Sequence, residues 1–221
     1  MELFEVIYKR RSIRSFKNKR IPEKILNKVI DAGRWSPSAC NRQAWRFIII
    51  DDESIRKKII DECTAYFVKD VPLLILVLYD NRTDNLEYQD HVQSAAACVQ
   101  NMQLAAYSLG LGSCCVANLP PKNIMRRILK LPLNYDPICF LALGYPKVIP
   151  KPLPRKQTIE QLISQNKFDF KEPRISIFDA RLRIKRLLRF VYFRLPKWLK
   201  KSLYPIAKKF EKRFDQYDIE L

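Results

Sequence analysis

The run Val71-Pro72-Leu73-Leu74-Ile75-Leu76-Val77-Leu78-Tyr79 limits the possible folds more than any other stretch of this chain. It carries no charge, and its single proline sits near the start. A strand half in solvent alternates apolar with polar residues, so this run reads as a central strand buried on both faces. It therefore needs a sheet around it and a layer of other elements above and below. The run is far too short to cross a bilayer as a helix. A chain of 221 residues with 48% hydrophobic content can enclose one such sheet and still carry an appendage.

Helical patterns supply the layers. Leu3, Phe4, Ile7 and Tyr8 have helical spacing, and Ile21-Pro22-Glu23 opens a second helix with apolar positions Ile25, Leu26, Val29, Ile30 and Gly33. Arg46 to Ile50 reads as a buried strand. Ser54 to Glu62 reads as a helix that Ser54 and the preceding Asp51-Asp52-Glu53 suit as a cap. Asp80 to Tyr88 is expected to be a polar loop. A long helix from about Gln89 to Leu109 has small residues on many sides, so another helix can approach it closely. Gly110-Leu111-Gly112 stops that helix, Ser113 to Ala117 is a short strand, Pro120-Pro121 opens a helix, and Pro137 to Gly144 is a last core strand.

The chemistry-bearing stretch is Arg10-Arg11-Ser12-Ile13-Arg14-Ser15-Phe16, which offers several donors to phosphate oxygens. The four glycines, at 33, 110, 112 and 144, form no phosphate-cradling loop, so side chains must hold any phosphorylated cofactor here. A solvated basic turn is the competing reading. Trp35 to Trp45 encloses a polar loop in which Ser38, Asn41 and Gln43 present donors and acceptors suited to a polar heterocycle, or simply form a capped turn. His91 is the only histidine and the six cysteines include no C-x-x-C, which argues against zinc. The cysteines read as reduced, mostly buried thiols of a cytoplasmic protein. In MELFEVIYKRR the charges follow the apolar residues, the wrong order for a signal peptide.

R-R-S-I-R-S-F, then I-P-E-K-I-L-N-K-V-I-D-A-G-R-W-S-P-S-A-C-N-R-Q-A-W-R-F, then L-G-L-G-S-C and L-G-Y-P occur in that order between about residues 3 and 160. This ordered set resembles the FMN-dependent nitroreductase-like flavoproteins. The resemblance implies an α+β fold with a central, mainly antiparallel sheet flanked by helices, and a homodimer with flavin sites at its interface. It implies an oxidoreductase in which NAD(P)H reduces FMN and a small acceptor, such as a nitroaromatic or quinone, then takes the electrons in ping-pong order. The expected cofactor-binding residues are Arg10, Arg11, Ser12, Arg14, Pro37, Ser38, Asn41, Gln43, Cys115, Ala117, Asn118 and Arg155. Among them Arg10, Ser12 and Arg155 are expected at the phosphate, and Arg14 beside the pyrimidine edge, where reduction gathers negative charge. Cys115, Ala117 and Asn118 would act through their backbone. No residue is expected to be catalytic in its own right, since the flavin carries the chemistry. Gln43-Ala44-Trp45 lacks the family's usual proline, which is expected to loosen the loop without removing a ligand group. Leu153 stands where the family often has a second cation.

The resemblance implies a flavin-binding domain over residues 1–165 and leaves 166–221 unexplained. In this extension Ala180, Ile184, Leu187, Leu188, Val191 and Leu195 share a helical face, Arg181, Lys185, Arg186 and Arg189 lie largely elsewhere, and Pro196 interrupts before Trp198 to Phe214 resumes the style. Packing on a partner subunit and docking at an anionic membrane surface through 178–214, which would make the protein peripheral there, stay open; nucleic-acid contact ranks below both. A net charge of +18 favours an anionic partner without choosing among them. An alternative function is a membrane-recruited accessory module on the same scaffold, without turnover.

Overall fold

The computed structural model describes residues 2–62, 66–83 and 85–170, and beyond them residues 183–184, 187–188, 191–192, 195–196, 198–199 and 202–203. Its contacts divide the chain into two units, Met1–Pro150 and Lys151–Leu221. In the first unit the element order is α1 (Leu3–Lys9), α2 (Glu23–Arg34), β1 (Trp45–Ile50), α3 (Glu53–Ile60), β2 (Leu73–Asp80), α4 (Asp90–Ser108), β3 (Gly112–Val116), α5 (Lys122–Leu129) and β4 (Tyr135–Gly144).

The four strands form one antiparallel sheet in the order β1-β2-β4-β3, with β2 inside as its apolar run demands. Residues Leu74 to Tyr79 are each at most 4% exposed. Their alternation divides the core in two. Ile75, Val77 and Tyr79 join Cys139, Leu141 and Leu143 of β4 under α2 and α4. Leu74, Leu76 and Leu78 join Phe140 and Ala142, with Ile59 of α3 and Met125 of α5, on the opposite face. Burying each such side chain stabilises the fold by about 1.5–3 kcal/mol. The β2–β4 register shifts between Val77 and Leu78, opposite Pro137, a residue with no N–H to give the ladder.

The small residues of α4 accommodate α2. A Cβ added to Gly33 would lie 2.7 Å from Met102 Cγ and 2.9 Å from Cys98 Sγ, so the helices approach at van der Waals contact only because that position is glycine. By contrast, the apolar residues of α1 find little cover within the chain: Val6 is buried, but Leu3, Phe4 and Tyr8 are each more than 60% exposed.

Among the expected capping residues Asp52 forms the cap of α3, its carboxylate accepting from the Ile55 N–H at 2.9 Å and the Ser54 hydroxyl at 2.7 Å. The hydroxyl thus reinforces the cap instead of forming it. Asp80 does not begin a loop; it ends β2, buried, because Arg82 folds back to neutralise it.

In the second unit Glu160–Leu162 forms a single 3-10 turn. Residues 183–184, 187–188 and 191–192 have helical backbone, as do 198–199 and 202–203. Ala180, Arg181, Lys185, Arg186, Arg189 and residues 204–214 of the expected amphipathic segment lie outside the described residues.

Candidate functional site

The arginine segment is fastened to one end of the sheet. Arg10 closes α1 by donating its N–H to Val6 O at 2.9 Å. Ser12 bridges Ser113 in parallel, and the Ile13 N–H donates to Ser113 O at 2.9 Å. Phe16 bridges Pro146, Lys17 N donates to Tyr145 O at 2.8 Å, and Lys147 N donates to Ser15 O at 3.0 Å. Residues 12–17 therefore form an arm across the end where β3 begins and β4 leaves. Two glycines permit the close approach: a Cβ on Gly112 would sit 2.7 Å from Ile13 Cγ1, and one on Gly144 2.7 Å from Phe16 Cδ1.

Pairing on both sides fixes the arm's backbone and leaves Arg14 half-buried and Lys17 exposed. Arg14 lies over the ring of Phe67, its Cζ 6.0 Å from the centroid. Arg11 turns back instead, donating to the carbonyl oxygens of Tyr8 and Arg10, so it helps close α1 more than it faces outward. From Ser113, β3 runs beside β4 to Val116, followed by exposed Ala117 and half-buried Asn118. At roughly 3.3 Å per residue the arm and this stretch span about 15 Å along one edge.

The Ser38 loop is built differently. Cys40, Asn41 and Gln43 all have positive φ, near 50°, a region non-glycine residues seldom occupy. Such strain persists only where surrounding bonds impose it, and it concentrates at functional sites. Here Ser38 Oγ accepts the Gln43 N–H at 3.0 Å, and Gln43 Nε2 donates to Asn41 Oδ1 at 2.8 Å. The Ala39 N–H donates to Ser94 Oγ of α4 at 3.0 Å, while that hydroxyl donates to Asp90 O. Ala44 O accepts the Asp80 N–H at 3.2 Å, so alanine in place of proline leaves the loop tied. Pro37, Asn41 and Gln43 are exposed, and Ser38 is half-buried.

Asp80 braces this loop. Arg82 grips its carboxylate at 2.6–3.1 Å and Arg42 Nη2 lies 4.0 Å away. The Arg82 hydrogen bonds hold its pKa down to about 2 against the opposing effect of burial. Neither Asp80 nor Ser94 stood out in the sequence. The only signal was a charge placed directly after the nine-residue apolar run, with an arginine two positions on.

Arm and loop lie at opposite ends of the sheet. The arm sits at Gly112 and Gly144, while the loop enters β1 beside Tyr79 and Asp80, whose partners are Asp136 and Tyr135. Ten residues of β4 separate the two ends, about 30 Å at strand rise. Within one chain the expected binding residues thus fall into two groups: Arg10, Arg11, Ser12 and Arg14 with Cys115, Ala117 and Asn118, and separately Pro37, Ser38, Asn41 and Gln43. Arg155 is exposed in the second unit.

A buried ionic cluster lies near the loop's end. Asp136 accepts from Lys122, from Arg126 at 2.8 Å and from Asn81 at 3.1 Å, with His91 Nε2 3.9 Å away. Burial pushes its pKa up, but the bonds from Lys122, Asn81 and Arg126 outweigh this and hold it low. His91 is thus a buried residue near the start of α4. In α4, burial pushes the Cys98 thiol up to about 12, whereas in β3 a hydrogen bond with Cys139 lowers Cys115. All five cysteines among the described residues are free thiols.

The profile of the nitroreductase family matches residues 7–65 and 60–145, which include the arm, the Ser38 loop and all four strands. The chain belongs to the nitroreductase family. This is a family of oxidoreductases, and the antiparallel α+β core agrees with it. A Methanothermobacter thermautotrophicus protein assigned as an NADH dehydrogenase/NAD(P)H nitroreductase is 34% identical over 151 residues, 66% of this chain and 78% of that protein. An iodotyrosine deiodinase of Haliscomenobacter hydrossis is 25% identical over 177 residues, covering 66% of this chain and 79% of its own. Among solved structures, a nitroreductase assigned from Desulfovibrio desulfuricans in complex with FMN superimposes with a TM-score of 0.65 at 27% identity, over 76% of this chain and 99% of that one.

Proposed function

We propose that this nitroreductase-family chain binds FMN and uses NAD(P)H to reduce a small organic acceptor, the two substrates taking turns at one site. The observation that carries this reading is the arm: half-buried Arg14 sits between backbone pairings to Ser113 and Tyr145, half-buried Arg10 leads into it, and β3 runs from the same place towards Ala117 and Asn118. The donor set fits a flavin mononucleotide, which is elongated, dianionic at one end and flat with a hydrogen-bonding edge at the other. Within the first unit Arg10 and Ser12 would hold the phosphate. Arg14, kept over Phe67, would set a positive charge at the ring's pyrimidine edge. The N–H groups around Cys115, Ala117 and Asn118 would fix the ring by main-chain donation. When bound, FMN supplies the capacity to accept a hydride and pass two electrons onward.

The opposite placement of the Ser38 loop supports a site completed by a second copy, since no single flavin spans both ends of one sheet. In a two-fold dimer the loop of one copy would meet the arm of the other, and the exposed apolar residues of α1 would gain cover. Relatives named for nitro compounds and for iodotyrosine leave the acceptor as a class: a small, electron-poor or halogenated aromatic or a quinone.

The test is direct. The purified protein should show oxidised-flavin absorption that NADH or NADPH bleaches and a quinone or nitroaromatic restores, with parallel double-reciprocal plots. Protein that stays colourless and gains no signal with added FMN would overturn the reading.

A further inference from the structure

The last quarter of the chain carries an apolar face that the redox reading does not use. Ile184, Leu187 and Leu188, on helical backbone, are 55–61% exposed, and Val191 is 44% exposed. Their spacing of three, four and seven residues places them on one side of a helix. After the break at Leu195-Pro196 helical backbone resumes, and Trp198 there is 72% exposed. The sequence of 181–203 holds nine Lys or Arg and no Asp or Glu, half of the net +18 of the whole chain. The segment lies beyond residue 145, where the family match ends, so the redox core does not need it.

The charge selects the occupant. A second copy would bring the same cationic segment and the same net +18 against it, the least favourable electrostatic partner available. A nucleic acid would neutralise the cations yet leave Leu187, Leu188 and Trp198 in water. An anionic bilayer answers both requirements, with headgroups for Lys and Arg and the acyl boundary for the apolar face. Nine cations within 181–203 are far too many for a membrane-spanning helix, so the segment would lie in the interface plane. We infer that residues 183–203 dock this protein on the surface of an anionic lipid membrane, where it would meet membrane-partitioned acceptors. The docking stands independently of the FMN assignment, on which only the acceptors rest.

The experiment is co-sedimentation of the full-length protein with phosphatidylcholine vesicles with and without about 30 mol% phosphatidylglycerol, at low and high salt. Partitioning onto the anionic vesicles should exceed that onto neutral ones by about tenfold or more and weaken with salt. L187E/L188E should lower it by about a hundredfold. These positions are exposed, so the flavin absorption and thermal unfolding of the variant should match the parent. R183Q/R194Q should reduce the preference for anionic over neutral vesicles by about tenfold while leaving the apolar face intact. Equal binding to both vesicle types, or undiminished binding by L187E/L188E, would overturn the proposal. So would absence of vesicle binding; loss of self-association in L187E/L188E would then give the face to a second copy, and salt-sensitive binding to duplex DNA would give it to nucleic acid.

Discussion

The two ends of the sheet hold their polar groups by different means. At the end where β4 leaves, the Ser12–Lys17 arm, with Arg10 and Arg11 leading into it, is positioned by main-chain bonds to Ser113, Tyr145 and Lys147 and by two glycines that let it come close. At the end where β1 begins, main-chain bonds such as Asp80 N–H to Ala44 O tie the Ser38 loop, but side chains of Ser38, Asn41, Gln43 and Ser94 add the bonds that hold three residues at positive φ. A site on backbone pairing tolerates changes to its side chains but fails if the backbone cannot approach. A site on side-chain bonds degrades one bond at a time. The contrast predicts which substitutions are catastrophic and which are graded.

The sharpest way to break it is at Gly112. In Gly112→Val the new Cβ would sit 2.7–3.0 Å from three atoms of buried Ile13, and neither side can yield without lifting the arm off β3. Stability should fall by about 1–3 kcal/mol, and FMN affinity by about a hundredfold because all the arm's cations move together. Flavin fluorescence titration checks this. If Gly112→Val binds FMN normally, backbone pairing does not position the site.

Arg10→Ala removes one cation and leaves the arm in place. FMN affinity should drop about tenfold to a hundredfold, the range for losing one charge-assisted contact, while riboflavin, which has no phosphate, should bind nearly as before. Equal losses for the two ligands would move Arg10 away from the phosphate.

These two predictions also mark what the sequence could and could not reveal. The central strand, the stop at Gly110 and the helix faces follow from local pattern, since burial on both faces and a left-handed helix end each demand particular residue types. The cations at Arg10, Arg11 and Arg14 were legible as a local cluster. That Gly112 and Gly144 serve the arm was not, because contacts with Ile13 and Phe16 join residues far apart in sequence. Asp80 was missed because a charge after an apolar run ordinarily marks the start of a loop. Only its pairing with Arg82 and Arg42 makes it a buried end of the strand. The separation of arm and loop by the length of β4 is a property of strand order, which no motif encodes.

At the loop's end the graded response is testable through pH. Asp80 has its pKa held at about 2 in the folded protein, below the ordinary 3.8, so its charged form stabilises the fold. That contribution is fully present above the ordinary value and disappears as pH falls from about 4 towards 2. Asp80→Asn should therefore cost about 1–2 kcal/mol at neutral pH, a range that allows for screening at exposed Arg82. The gap in thermal midpoint between parent and variant should close on acidification through that window. A gap that persists at pH 2 would mean that Asp80 acts by packing or neutral hydrogen bonding, not by charge.

The smallest effect is expected where the chain contributes only its main chain. Cys115 pairs with Leu141 through the β3–β4 ladder, and its thiol shares a hydrogen bond with Cys139, which lowers Cys115 from the ordinary thiol range. If the ring is held by amide N–H groups here, Cys115→Ala removes the thiol while the ladder keeps those groups where they were. FMN affinity should then change by less than about twofold, well inside the energy of one neutral hydrogen bond. The same variant should abolish reaction of this position with a maleimide, which shows that the thiol was present and accessible in the parent. A tenfold loss of FMN with Cys115→Ala would place the side chain itself against the ring, and this end of the sheet would then rely on side-chain bonds as the Ser38 loop does.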